Sequence, residues 1–340
     1  MSSAPTSALP LAALPLSRHA IDRDHAARSR PALFDELWEE PTTRVLALWN
    51  GRALLTPESV AAATPSADGW SAPDAGPAAL DLLPVERVTA ALLRVYLGRT
   101  LVDVPGEPAG SAIVLEVLTD AAAGELEPDE TRWGNLRTVA TALSDRDAGL
   151  FTEALAIANW HASHTHCPRC GTPTVVEQAG WVRRCFEDGS EVFPRTDPAV
   201  IVTVLDADDR LLLGSNAMWE HSRYSLLAGF VEPGESFESA VEREIFEEAG
   251  VRVVDARYKG SQPWPFPASV MVGMSARLAD DQAPAALTPD GEEILDLRWF
   301  SRDELWAARE QVILPGRSSI ARALIEDWYG GSLDEPPVVP

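Results

Sequence analysis

Apolar positions along the chain change their period several times, and each change predicts an element. The stretch Thr43–Leu55, TRVLALWNGRALL, is apolar around an Asn50-Gly51 pair. Asn and Gly both tolerate the positive φ angles of a type I′ turn, so this stretch predicts a β-hairpin. The Pro-, Ala-, Gly- and Ser-rich stretch Thr64–Pro77 reads as a loop, Ala112–Thr119 as a strand and Ala148–Ser163 as an amphipathic helix. These elements predict an α/β domain without evident chemistry. From Asp197 the pattern changes. Ala199–Leu205 and Arg210–Gly214 read as strands around an Asp-rich turn, and Ser225–Phe230 is a third apolar run that leads into a glycine-containing loop. Helical periodicity then runs from Phe237 to Ala249. Strand signals return at Val251–Tyr258, Val270–Leu278 and Leu295–Phe300, and the stretches Arg302–Glu310 and Ser318–Tyr329 read as helices. Mixed strands with helices on both sides predict an α/β/α sandwich with a mixed sheet.

At 340 residues the chain is long enough for two or three domains, and its 46% hydrophobic content is ample for their cores. We expect a disordered tail over 1–30, an N-terminal α/β domain over 31–160, a small cysteine-bearing segment over 161–196, the sandwich over 197–332 and a tail over 333–340. There is no internal repeat. No stretch approaches the roughly 18–20 apolar residues of a transmembrane helix. The mild apolar run near the N-terminus follows no basic residue and is interrupted by prolines, which reads as a mobile tail rather than a signal peptide, with the cytoplasm as the default location. A net charge of −24 argues against a broad basic surface for nucleic acid or anionic lipid, while leaving room for a local phosphate pocket.

The segment Gly229–Val251, GFVEPGESFESAVEREIFEEAGV, places carboxylates in a regular pattern. Gly229 and Gly234 permit a sharp loop, and Pro233 restricts it. Ser236 is placed to cap the helix, and Gly250 to end it. Glu244, Glu247 and Glu248 stand at i, i+3 and i+4 and share one face. Like charges so close repel, and hard divalent cations such as Mg²⁺ or Mn²⁺ offset that by taking carboxylate oxygens and bridging to phosphates. Arg243 can neutralise and orient part of the cluster. Seen only as a charge run, the same face would be ordinary solvated surface.

Two further motifs carry chemistry. The three cysteines, Cys167, Cys170 and Cys185, lie in one turn-rich segment too small to bury a core of its own. An odd, clustered set with a CxxC pair reads as metal binding rather than as a disulfide framework. CPRCG, Cys167–Gly171, is half of a zinc knuckle; Asp188 follows Cys185 at the same spacing, and a carboxylate oxygen can ligate zinc. His166 and His164 are alternative ligands, and a metal-free ribbon held by packing is the third reading. The second motif is Ser261–Ser269, SQPWPFPAS. Pro263, Pro265 and Pro267 stiffen it and remove donors, Trp264 and Phe266 offer flat faces to a heterocycle, and Gln262 and Ser269 offer hydrogen bonds. The bland alternative is a rigid loop that packs two aromatics into the core.

Gly229, five residues, Glu235, seven residues, then Arg243-Glu244-Ile245-x-Glu247-Glu248-x-Gly250-Val251 resembles the box of the Nudix hydrolases at every defined position. The resemblance implies a loop–helix–loop that binds two or three Mg²⁺ or Mn²⁺ ions and hydrolysis of a nucleoside diphosphate linked to another moiety. By that likeness the metal ligands are the Ala228 carbonyl, Glu244, Glu247, Glu248 and a downstream acid, Glu293, with Glu292 adjacent to it. Glu248 or Glu247 takes the proton of the attacking water, and Arg243 supports them. Ten residues beyond the box, Ser261–Ser269 resembles the SQPWPFPxS signature of the NADH pyrophosphatase branch. This implies substrate contacts through Gln262, Pro263, Trp264, Pro265, Phe266, Pro267, Ala268 and Ser269, joined by Arg137, Phe193, Phe230 and Ala321. Three positions depart from the branch: Phe193 stands where it has a base-stacking tyrosine, Gly180 where it has a glutamate, and Asp188 where it has the fourth cysteine of a structural zinc ribbon. The implied reaction is cleavage of NAD(H) to AMP and NMN(H) by a homodimer, or the same chemistry on NAD-capped RNA 5′ ends. A Nudix enzyme for ADP-ribose or a diadenosine polyphosphate is the alternative within enzymes. A catalytically silent nucleotide sensor is the alternative outside them, and the intact box argues against it.

Overall fold

The computed structural model describes residues 8–59, 77–88, 90–219 and 222–337. Nearly all of the expected loop Thr64–Pro77 therefore lies outside the described residues. The chain divides into two compact units. One comprises Arg18–Thr196 with Trp264–Ala268; the other comprises Met1–Ser17, Asp197–Pro263 and Ser269–Pro340, in so far as these are described. Among the described residues no helix is long and apolar enough to cross a membrane.

The first unit holds strands β1 (Ile21–Asp22), β2 (Arg44–Trp49), β3 (Arg52–Leu54), β4 (Leu83–Pro84), β5 (Leu93–Thr100), β6 (Ala112–Val117) and β7 (Trp133–Asn135). They form one sheet in the order β1-β5-β6-β2-β3-β7, with β4 on β2. The β2–β3 hairpin turns at Asn50 (φ 48°) and Gly51 (φ 73°), the two positive angles that the Asn-Gly pair predicts. Helices α1 (Leu33–Glu39), α2 (Asp120–Leu126), α3 (Leu136–Val139) and α4 (Asp145–Ser163) belong to this unit. Ser144 caps α4 by accepting the Asp147 N–H. Burial on α4 extends beyond one apolar stripe: Arg146, Asp147, Glu153 and His161 are buried along with Leu150, Phe151 and Trp160. A three-stranded ribbon in the order β10-β9-β8 follows, made of β8 (Thr174–Glu177), β9 (Val182–Cys185) and β10 (Glu191–Val192).

Buried polar groups dock the ribbon. Arg183 donates to His161 Nδ1 at 2.9 Å, which leaves the proton on Nε2 to meet the Gly180 carbonyl at 2.8 Å. Burial pulls His161 down to about 4, so the ring stays neutral and keeps that tautomer. The Trp181 indole N–H donates to the Tyr96 carbonyl at 2.7 Å. A Cβ on Gly180 would come within 2.7 Å of Val95, and the residue sits at φ 97°, so glycine is the side chain this contact admits.

Glu153 on α4 is another buried charge. Its Oε1 lies 3.3 Å from Arg23 and has no hydrogen-bond partner among the described residues, and burial pushes the carboxyl up to about 7. A folded chain that holds a proton which the unfolded chain releases near 4.5 loses stability as pH rises from that value through 7. Glu153→Gln should remove this slope and raise stability at pH 8 by about 1–3 kcal/mol. Urea unfolding of both proteins at pH 5 and pH 8 checks it; an equal difference at the two pH values would refute the assignment.

The second unit is the expected sandwich. Its strands are β11 (Asp197–Leu205), β12 (Leu211–Asn216), β13 (Leu227–Phe230), β14 (Val253–Trp264), β15 (Ser269–Leu278) and β16 (Ile294–Phe300), in the order β14-β15-β11-β12-β16 with β13 on β11. The sheet is mixed: β11 runs parallel to β15 and antiparallel to β12 and β13. Alternation along β11 sorts its two faces. Val200, Val202 and Val204 pack with Ala240, Val241 and Ile245 of α5 (Phe237–Ala249). Ile201 packs on the other side with residues of α6 (Arg302–Ala307) and α7 (Ile320–Tyr329). The Asp-rich turn between β11 and β12 is built on Asp206, whose Oδ1 accepts the Asp208 and Arg210 N–H groups.

The expected disordered tail needs correction over residues 8–30. Leu14 and Leu16 are buried, and Leu14 joins the core beside α7. The Leu9 N–H donates to the Lys259 carbonyl at 2.6 Å and the Ser17 hydroxyl to the Ser261 carbonyl at 2.8 Å, so this segment satisfies alternate carbonyls of the edge strand β14. Of the prolines that read as disorder, Pro10 precedes one short 3₁₀ turn, Leu11–Ala13, and Pro15 opens another, Pro15–Ser17. Further along, Ile21–Asp22 is a strand of the first unit's sheet and His25–Ser29 a 3₁₀ turn.

Candidate active site and metal-binding cluster

Helix α5 forms where its sequence dictates. Ser236 Oγ accepts the Ser239 N–H, and Gly250 ends the helix at φ 69°. Its carboxylates differ sharply although they share a face. Glu247 is exposed, Glu244 is largely covered, and Glu248 is buried. Arg243 gathers the first two: it lies 2.8 Å from Glu235, 3.0 Å from Glu244 and 2.9 Å from Glu247, and donates to the Phe230 carbonyl at 2.9 Å. The Arg243 hydrogen bonds hold Glu235 down to about 2. The Glu244 carboxylate rests against Gly229, where a Cβ would fall 1.9 Å from its carboxyl carbon. Box glycine and box glutamate are thus one steric unit. Ala228 stands beside it on β13, opposite Ile201.

Glu248 is the electrostatic anomaly. Its Oε2 is buried without a hydrogen-bond partner among the described residues. Burial pushes its carboxyl up to about 8, with the charges of Glu244, Glu293, Asp290 and Glu247 adding to the effect. A buried carboxylate surrounded by others costs free energy unless a cation or a proton joins it. The donor set, all hard oxygen, fits a divalent cation of the Mg²⁺ class.

Glu293, the expected downstream acid, lies close enough to the cluster to act on it electrostatically. Its charge acts on both Glu244 and Glu248, and its Oε1 accepts the Asn216 amide at 3.2 Å. Asp290, absent from the expectation, builds the loop that presents it: one oxygen accepts the N–H groups of Glu292, Glu293 and Ile294, each at 2.9 Å. The Asp290-Gly291 pair was the legible signal, a turn dipeptide.

The SQPWPFPAS segment is less of a loop than its prolines suggest. Ser261–Trp264 completes β14, Pro265–Ala268 is the turn and Ser269 opens β15. Pro263 is tolerated because β14 is an edge strand. Gln262 departs from the expected ligand role. It is fully buried, its Oε1 accepts the Leu16 N–H at 3.2 Å, and its Nε2 donates to the Ser318 carbonyl at 2.9 Å. Ala321 departs likewise: it is core, and its N–H is capped by Ser319 Oγ. Ser269 is buried too, whereas Phe230 is exposed at the end of β13. In the first unit, Trp264 and Phe266 meet edge to face at 4.9 Å. The Arg137 guanidinium lies 3.9 Å from the Phe266 ring centre and 4.9 Å from that of Trp264. Phe193 is exposed beyond β10.

The cysteines form two matching knuckles. The Gly171 N–H donates to the Cys167 carbonyl and the Gly189 N–H to the Cys185 carbonyl, with both glycines at positive φ. This brings donor atoms of Cys167, Cys170, Cys185 and Asp188 within 4.8 Å of one another, a tetrahedral-sized cluster of three thiols and a carboxylate. The Ser190 hydroxyl and N–H both bind Asp188 Oδ1 and hold the carboxyl down to about 2. The other oxygen, Oδ2, lies 3.6 Å from Cys167 Sγ. The alternative ligands His164 and His166 stand outside this group; His166 Nδ1 is paired with the Thr165 hydroxyl.

Comparison with known proteins gives a consistent series along the chain. Residues 42–160 match the NADH pyrophosphatase-like rudimentary NUDIX domain, 162–193 the NADH pyrophosphatase zinc ribbon domain, and 195–322 the NUDIX domain. The NAD-capped RNA hydrolase NudC of Mycobacterium bovis is 46% identical over 204 residues, which cover 57% of this chain and 64% of that protein. The human NAD-capped RNA hydrolase NUDT12 is 35% identical over 200 residues, 55% of this chain and 42% of that protein. A crystal structure of a NUDIX hydrolase from Nitrosomonas europaea aligns at 21% identity with a TM-score of 0.39, covering 49% of this chain and 94% of that one.

Proposed function

The chain belongs to the Nudix family, with the rudimentary-domain, zinc-ribbon and Nudix-domain order of NADH pyrophosphatases, and from that premise we propose that it hydrolyses the diphosphate of NAD(H) to AMP and NMN(H). The observation that carries the proposal is the buried Glu248 beside Glu244 and Glu293, behind an intact box, in a chain that also carries SQPWPFPAS. The names of the relatives add NAD-capped RNA 5′ ends as a second substrate of the same chemistry.

Glu244, Glu247, Glu248, Glu293 and the Ala228 carbonyl would hold Mg²⁺ or Mn²⁺. When bound, these ions neutralise the diphosphate and lower the pKa of a bound water. The chain's own residues do the rest. Arg243 fixes Glu244 and Glu247 through direct ion pairs and braces the loop at Phe230 O. Gly229 leaves room for the Glu244 carboxylate. Glu248 or Glu247 is the group we favour to accept the water proton; the two are adjacent on α5, Glu248 buried and Glu247 exposed. Phe230, Phe193, Arg137 and the rings of Trp264 and Phe266 are the proposed nucleotide contacts. Gln262 and Ala321 are left to the fold. Cys167, Cys170, Cys185 and Asp188 would hold one structural zinc. The family resemblance also supports a homodimer, and the cytoplasm is the proposed default location.

The test is hydrolysis of NADH with Mg²⁺ or Mn²⁺, with and without EDTA. No metal-dependent formation of AMP and NMNH would reject the proposal. Competition between NADH and NAD-capped RNA at physiological salt then ranks the two substrates. A folded Trp264→Ala/Phe266→Ala double variant should lose about tenfold or more of its preference for NADH over ADP-ribose, since ring stacking contributes about 1–3 kcal/mol per base. Unchanged relative rates across NADH, ADP-ribose and diadenosine substrates would remove the segment from substrate selection.

A further inference from the structure

Helix α4 bears a polar side chain that the proposed reaction does not use. Asn159 Nδ2 donates to the Pro265 carbonyl at 2.9 Å and to the Pro267 carbonyl at 3.1 Å. Two carbonyl acceptors fix the orientation of the amide, since its oxygen could only repel them. The turn has few means of holding itself. Pro265 and Pro267 have no N–H, and the hydrogen bond found within the turn runs from the Phe266 N–H to the Trp264 carbonyl. The Asn159 amide therefore spans the residue whose ring, Phe266, meets both Trp264 and Arg137. Two residues further along α4, His161 is locked to the ribbon through Arg183 and Gly180.

We propose that Asn159 is a positioning residue for substrate selection: from α4 it clamps the Pro265 and Pro267 carbonyls, and so sets the attitude of the Trp264 and Phe266 rings. This rests on the reading that Trp264–Ala268 selects the nucleotide. The residue touches no reacting atom, so its loss weakens recognition and spares the chemical step. Arg137 stacks on the same rings, which places a cation over both of them when Asn159 holds the turn.

The test uses the full chain and two variants. Asn159→Ala removes both donors at a half-buried helical position where alanine is well tolerated. Asn159→Asp keeps the shape and sets an oxygen against the two carbonyls. Hydrogen exchange of the Phe266 amide, measured without nucleotide, should accelerate in both variants, and more in Asn159→Asp. KM for NADH should rise about tenfold, equivalent to about 1.4 kcal/mol, with kcat within about threefold of the parent. Selectivity for NADH over ADP-ribose should fall in parallel. Unchanged exchange at Phe266 would overturn the clamp. Faster exchange with unchanged KM and selectivity would overturn its part in recognition, as would a loss confined to kcat. If the parent chain itself fails to hydrolyse NADH, the proposed function fails, while the exchange measurement still decides whether Asn159 holds the turn.

Discussion

Glu248→Gln is expected to cut turnover by about a hundredfold or more, the several kcal/mol that a metal-carboxylate system supplies to a developing charge. The substitution keeps volume and removes one charge from the most buried member of the cluster. A loss of fold would give the same kinetic result, and the environment of Glu248 separates the two. Its Oε2 is buried without a hydrogen bond among the described residues, and burial works against its ionised form. A neutral amide avoids that desolvation cost, so the metal-free variant should be at least as stable as the parent. Added metal should then stabilise the parent far more than the variant, because ligand binding to the folded state raises stability in proportion to ln(1 + [L]/Kd). Thermal unfolding with and without Mg²⁺ reads this directly. Near-normal activity at saturating metal would show that Glu248 is neither ligand nor base.

The second large effect is expected at the cysteine cluster. Protein prepared with zinc present should carry one zinc per chain, bound by Cys167, Cys170, Cys185 and Asp188. Aspartate is a harder and shorter ligand than thiolate, so Asp188→Cys should tighten binding and Asp188→Ala should weaken it. Ser190→Ala offers a finer test. Ser190 occupies Asp188 Oδ1 with both its hydroxyl and its N–H and leaves Oδ2 toward Cys167. Losing an outer partner of this kind commonly lowers metal affinity about tenfold to a hundredfold. Metal analysis with a competing chelator gives all four affinities. Zinc-free protein of undiminished stability would end the assignment. The ribbon's other anchors, His161–Arg183 and Trp181–Tyr96, predict that chelation loosens the knuckles while β9 stays docked. Hydrogen exchange confined to 166–172 and 185–190 would report that split.

What the sequence determined by itself was local. The Asn50-Gly51 turn, the Ser236 cap, the helix Phe237–Ala249 and its Gly250 end depend on φ preferences and on side chains a few residues apart, and the structure has them where they were read. The two faces of β11 follow from alternation alone. The paired knuckles follow from equal Cys-x-x-Cys and Cys-x-x-Asp spacing with a glycine after each. Periodicity assigns a residue to a face, but it does not say what packs there. Glu247 and Glu248 are neighbours on one helix, yet one is exposed and the other buried, because the cover comes from elsewhere in the fold. Glu292 and Glu293 are adjacent acids held by the same turn, and it is Glu293 that meets distant partners, its Oε1 accepting the Asn216 amide and its charge acting on Glu244 and Glu248. Gln262 looked like a ligand contact because an amide in an aromatic loop can serve one. Leu16 and Ser318, 246 and 56 residues away, take both its ends. Residues 8–17 looked disordered because leucines among prolines carry no helical or strand period, and the edge of β14 gives them a place. In each of these cases the deciding partner is distant in sequence, and only the packed chain brings it within hydrogen-bonding or van der Waals range.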